Sequence, residues 1–137
     1  MPAIPEDTLQ TLVERATAAR ERAYAPYSGF PVGAAVLGAG GQIWTGANVE
    51  NASLGATLCA ERVALAAAVA AGERQIQALA VVADTPQPVA PCGLCRQMLQ
   101  EFAVPGCLII LANLQGDRQI LTQAELLPWA FSWPGPR

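Results

Sequence analysis

Thr57-Leu58-Cys59-Ala60-Glu61-Arg62-Val63-Ala64-Leu65-Ala66-Ala67-Ala68-Val69-Ala70-Ala71-Gly72 is the stretch from which the rest of the chain can be read. From Ala60 onward it is built of strong helix formers, and Gly72 stands where a helix needs a left-handed stop. The spacing predicts a helix opening at Cys59. Its first residues also carry chemistry, because a thiol that binds soft metals, a carboxyl that can move a proton and a permanent cation all fall between Cys59 and Arg62.

Upstream, Phe30 to Leu37 is almost continuously apolar, as suits a strand covered on both faces. Gly38-Ala39-Gly40-Gly41 reads as a hairpin loop. The return strand, Gln42 to Glu50, carries Asn48 and Glu50 two residues apart, so both side chains leave one side of the pleat and can reach one ligand. Further upstream, Leu9, Leu12, Val13, Ala16 and Ala19 recur at three- and four-residue spacing, which predicts an amphipathic helix over 5–24 ended by Pro26.

Downstream, Ile76 to Ala83 reads as a strand, Asp84 to Pro91 as a proline-rich loop, and Cys92 to Phe102 as a second helix closed by Pro105-Gly106. Strands are expected at Cys107 to Ala112 and Arg118 to Leu121, then a brief helix near Glu125 and an aromatic tail. No repeat or linker interrupts the chain, so residues 1–137 are expected to form one domain. A hairpin followed by helix, strand, helix and strand predicts the α/β class, a three-layer α/β/α sandwich around a mixed central sheet of about five strands. The two cysteine-bearing helices each follow a strand end, so their N-termini can meet on one rim.

Hydrophobic residues make up 53% of the chain and charged residues 14%. That is apolar for a monomer of this size and predicts burial between subunits. A net charge of −3 without a basic cluster excludes the electrostatic footprint of nucleic-acid binding and favours a small substrate. There is no apolar run of the roughly 18 residues that spans a bilayer, and Met1 to Asp7 lacks a signal-peptide pattern, so a cytoplasmic, membrane-free protein is expected. In a reducing compartment four cysteines read as metal ligands or buried thiols before disulfides. The chain has no histidine, so proton transfer must fall to a carboxylate.

Cys92 and Cys95, three apart at a helix start, can share one ion, with Cys59 as the third ligand. Three protein ligands and an open fourth position are the pattern of a catalytic Zn²⁺, and helix N-termini favour thiolates. Three thiolates around one dication leave a net charge of −1, which Arg62, three residues after Cys59, can moderate by donating to sulfur. Glu61 is the carboxylate adjacent to a ligand and is the candidate for moving protons. Blander alternatives stand beside these: a structural four-cysteine zinc site with Cys107 as fourth ligand, a redox dithiol, Asn48 and Glu50 as turn formers, Arg62 as a solvated cation, and Phe30 as core.

Through Cys59-Ala60-Glu61-Arg62 and Pro91-Cys92-Gly93-Leu94-Cys95-Arg96-Gln97, the chain resembles the small homotetrameric cytidine deaminases. The likeness extends through Ala23 to Ala35, Gly46 to Ala52 and Leu126 to Phe131. It implies one zinc ion per subunit and hydrolytic conversion of cytidine and 2′-deoxycytidine to the uridines. A blasticidin-type or polynucleotide-editing deaminase is the nearest rival; acidity and short length speak against editing. The resemblance further implies that Phe30 packs on the pyrimidine, Asn48 and Glu50 bind the ribose 3′-hydroxyl, backbone at Ala60 meets the base, and Phe131 enters a neighbouring subunit's site. Leu54 departs from the family's pattern, which often has Tyr there, near expected subunit contacts.

Overall fold

The structure is a computed structural model that describes residues 3–136. Its elements are α1 (Glu6–Arg20), β1 (Val32–Gly38), β2 (Ile43–Ala47), α2 (Ala60–Ala70), β3 (Ile76–Ala83), α3 (Gly93–Phe102), β4 (Ala103–Asn113), β5 (Arg118–Thr122) and α4 (Gln123–Leu126), with a single 3-10 turn at Leu54–Ala56. The strands form one sheet in the order β2-β1-β3-β4-β5. β1 runs antiparallel to β2 and β3, β4 antiparallel to β5, and β3 parallel to β4. That parallel pair needs a crossover, which α3 supplies.

Alternation along the central strands sorts the core into two layers. Ala35, Leu37, Ala78, Ala80, Val82, Ile110 and Ala112 face α1, where Leu9, Leu12 and Ala16 cover them. Ala34, Val36, Leu79, Val81, Ile109 and Leu111 face the other way, onto Ala64, Leu65 and Ala68 of α2 and Leu99 of α3. Both faces of the central strands are therefore buried, which explains their near-continuous apolar sequence. The mixed five-stranded sheet with helices on both sides agrees with the sequence expectation.

Three boundaries differ from it. α1 stops at Arg20, well before Pro26, because Tyr24 is committed elsewhere: its N–H donates to Asn48 O and its carbonyl accepts from Glu50 N, at 2.9 Å each. β2 ends at Ala47, although Val49 continues as an extended bridge between Tyr24 and Leu58. β4 begins at Ala103 and not Cys107, since the pairing with β3 jumps from Ile76↔Ala103 to Ala78↔Leu108. Pro105 and Gly106 fall in that irregularity, where a residue without an N–H and a glycine at φ 80° cost the ladder little.

α2 sits unusually close to β2 because Gly46 has no side chain. A Cβ there would lie 2.5 Å from Ala64 N and 2.6 Å from Ala60 O, backbone atoms that cannot swing aside. Gly46→Ala is therefore expected to destabilise by about 1–3 kcal/mol or more through overpacking. Gly55→Ala, with no atom within 4 Å of the new Cβ, is expected to stay within about 0.5 kcal/mol. Urea unfolding of the two variants checks this, and equal midpoints would refute it.

Candidate active site

Two helix starts meet at one rim. Cys59 caps the N-terminus of α2, Cys92 caps that of α3, and Cys95 lies in the first turn of α3. Cys59 Sγ lies 3.7 Å from Cys92 Sγ, Cys92 Sγ lies 3.4 Å from Cys95 Sγ, and all three sulfurs fall within 4.8 Å of one another. Ligands about 2.3 Å from a tetrahedral Zn²⁺ would stand roughly 3.8 Å apart, so the three thiols fit the ion. Cys107 is not in the cluster. It is buried in the core on β4, its thiol pushed up to about 12 by burial, and its Sγ points to Leu108 O at 3.9 Å.

The thiols divide charge unevenly. Cys59 is pulled down to about 5, foremost by the hydrogen bond from Cys95 and then by Arg62. Cys95 is raised, foremost because it donates to Cys59 and next because it is buried. Arg62 Nη2 donates to Thr57 O at 3.2 Å and approaches Cys59 Sγ at 3.8 Å, so the cation lies against the sulfur as the spacing predicted.

Glu61, the second residue of α2, is only 5% exposed. Its carboxyl is pushed up to about 7, foremost by burial and secondarily by the charge on Cys59. It borders the same cavity of about 370 Å³ as Cys59 and Cys92. Phe30, Asn48, Glu50 and Ala60 also line it, so four residues named for substrate binding do converge. Glu50 accepts from Tyr27 N at 2.9 Å, from Ser28 N at 3.1 Å and from the Ser28 hydroxyl, which foremost holds its carboxyl below the usual range. Asn48 accepts from Val32 N and donates to Phe30 O, each at 2.9 Å. It thereby fixes the segment that carries Phe30.

Phe131 does not line the cavity of its own chain. Its side chain is 66% exposed, and its carbonyl accepts from Gln97 Nε2 at 3.0 Å. Sequence reasoning missed Ser28, although a serine beside a glycine at φ 66° is placed to cap a nearby carboxylate. It also missed the wall formed by Val89 and Ala90. Neither residue carries a chemical signature that spacing could reveal.

Three clustered thiols, two of which open onto the same cavity as the buried Glu61 carboxyl, fit a metal centre with an open side better than a closed structural one, and the class is that of zinc-dependent hydrolases. Comparison with known proteins narrows this. The family described as the cytidine and deoxycytidylate deaminase zinc-binding region matches residues 6–111, and the chain belongs to that family. The cytidine deaminase of Halalkalibacterium halodurans is 54% identical over 123 residues, covering 90% of this chain and 93% of that protein. That of Sporosarcina psychrophila is 51% identical over 90% of this chain and 91% of its own. The crystal structure of the Burkholderia pseudomallei cytidine deaminase aligns with a TM-score of 0.85 at 51% identity, over 89% of this chain and 98% of that one.

Proposed function

We propose that residues 1–137 work as one catalytic unit that hydrolyses cytidine and 2′-deoxycytidine to uridine and 2′-deoxyuridine with release of ammonia. The observation that carries the proposal is the shared cavity, which Cys59, Cys92 and Glu61 line together with Asn48 and Glu50, with the buried Cys95 completing the sulfur cluster beside it. A base with an exocyclic amine faces the sulfurs and Glu61 while its sugar faces Asn48 and Glu50.

Cys59, Cys92 and Cys95 would hold zinc, which when bound supplies Lewis acidity that brings the pKa of water toward neutrality. Glu61 then handles the protons. As the water oxygen bonds to C4 of the base, one of its protons passes through the Glu61 carboxyl to N3. As the C4–N4 bond breaks, the second proton goes by the same carboxyl to the departing nitrogen, which leaves as ammonia. Burial of Glu61 keeps the proton available for both transfers.

Phe30 packs on the pyrimidine, Ala60 offers backbone to the base, and the Glu50 carboxylate, kept ionised by Ser28, accepts from the ribose 3′-hydroxyl. The active form is a homotetramer in which Phe131 completes a neighbour's site. Exposed Trp129, Phe131 and Trp133 support this, since a monomer leaves that apolar surface in water. A cytoplasmic setting suits three ligands that must stay reduced.

Cytidine incubated with zinc-loaded protein is expected to lose its ultraviolet absorbance as uridine and ammonia appear in equal amounts. Absence of both products overturns the proposal. Arg62→Gln leaves the thiols in place and withdraws the cation from Cys59, so turnover is expected to fall roughly 10- to 100-fold with zinc still bound. Measuring kcat beside metal content checks this, and unchanged turnover removes Arg62 from the machinery.

A further inference from the structure

The loop from Asp84 to Pro91 joins β3 to the Cys92 cap and includes Pro86, Pro88 and Pro91. Those three positions have no backbone N–H to give, so the loop cannot build a ladder of its own. Inside it, the Thr85 hydroxyl donates to Gln87 O. Yet Val89 and Ala90 wall the cavity, and the next ordered feature is a thiol of the metal cluster.

Side chains from elsewhere hold the two ends. At the near end stands Asn113, the last residue of β4, which is 4% exposed. Its Nδ2 donates to Thr85 O at 3.0 Å, Pro86 O at 3.3 Å and Asp117 Oδ2 at 2.8 Å. Its Oδ1 accepts from Gln115 N at 3.0 Å and Asp117 N at 2.9 Å. Both polar atoms of this buried amide are thus occupied, with three contacts to the β4–β5 turn and two to the loop. At the far end, Arg96 donates from Nε to Pro91 O at 2.8 Å and from Nη1 to Leu126 O at 2.9 Å. The rigid planar fork of guanidinium fixes both carbonyls at once.

We propose that Asn113 and Arg96 are positioning residues that seat this loop from opposite ends, Asn113 setting the Val89–Ala90 wall of the substrate cavity and Arg96 setting the Cys92 arm of the metal cluster. The substrate half rests on the deamination proposed above; the metal half does not. A carbonyl that loses its donor here returns to water, and with proline at three of its eight positions the loop has few N–H groups to replace the contact. The wall then moves before the chemistry does.

A purely structural role for Asn113 would act through the turn, and the two can be separated. Asn113→Asp combined with Asp117→Asn keeps an acceptor for the turn amides and a donor–acceptor pair between 113 and 117, while it removes donation to Thr85 and Pro86. In zinc-loaded protein this exchange is expected to lower the side-chain methyl order parameter of Val89 and to raise KM for cytidine about fivefold with kcat little changed. Arg96→Gln is expected to speed zinc release to a chelator roughly tenfold. Leu12→Ala, on the inner face of α1 on the opposite side of the sheet, lowers stability and is expected to change none of the three readouts.

An unchanged Val89 methyl order parameter in the paired variant, a KM shift that Leu12→Ala reproduces, or unaltered zinc release from Arg96→Gln each overturns the proposal. If the wild-type protein leaves cytidine intact, the substrate assignment fails by itself. The Val89 methyl order parameter and zinc release still decide whether the loop is held as proposed.

Discussion

Glu61→Gln is expected to lower kcat for cytidine by roughly 10²- to 10⁴-fold, the contribution of a positioned proton-transfer group, while the protein keeps its zinc and its fold. The amide has nearly the shape of the acid, so the buried space on α2 stays filled, but it cannot take a proton from water and return it to N3 or to the departing nitrogen. Burial makes the loss severe. At 5% exposure there is little bulk solvent beside the site to substitute for the carboxyl. Single-turnover rates alongside metal content per chain test this, and a variant within tenfold of wild type would show that another group carries the proton.

Cys95→Ala is expected to abolish both activity and stable zinc retention. Cys95 is 1% exposed and within hydrogen-bonding reach of Cys92 Sγ at 3.4 Å, so its removal leaves two sulfurs at one side of the cluster. The loss in metal affinity should exceed the roughly 10- to 100-fold that outer partners of a metal site cost. Because bound metal adds its binding free energy to the folded state, the melting temperature should also become insensitive to added zinc. Cys107→Ala is the matched control, for it removes a buried thiol outside the cluster and should retain full zinc content. Zinc loss from that control would favour the closed four-cysteine site.

The sequence made the layers and the metal cluster legible because both rest on spacing. Burial on both faces of β1, β3 and β4 follows from their continuous apolar runs, and three-residue spacing at a helix start brings Cys92 beside Cys95. What spacing could not convey is which carbonyls and amides pair at a distance. Tyr24 is drawn out of the first helix by Asn48 and Glu50, a contact between segments more than twenty residues apart. Pro105 reads as a stop, yet a bulge absorbs it and β4 starts before it. Asn113 and Arg96 act through hydrogen bonds to backbone carbonyls and Ser28 through one to the Glu50 carboxylate, contacts that any asparagine, arginine or serine can make, so their types alone do not mark them.

Cys59 and Cys92 are 33 residues apart in the chain, and the whole of β3, inserted between β1 and β4, separates their helices. Cys92 and Cys95 alone offer an ion two sulfurs. The third is delivered only after β3 has paired with its neighbours and both helices have docked on one face of the sheet. High-affinity metal uptake is consequently a late event in maturation, and zinc occupancy reports that the tertiary fold is complete: chains arrested with β3 unpaired should stay metal-poor and be readily distinguished from finished ones by chelator sensitivity.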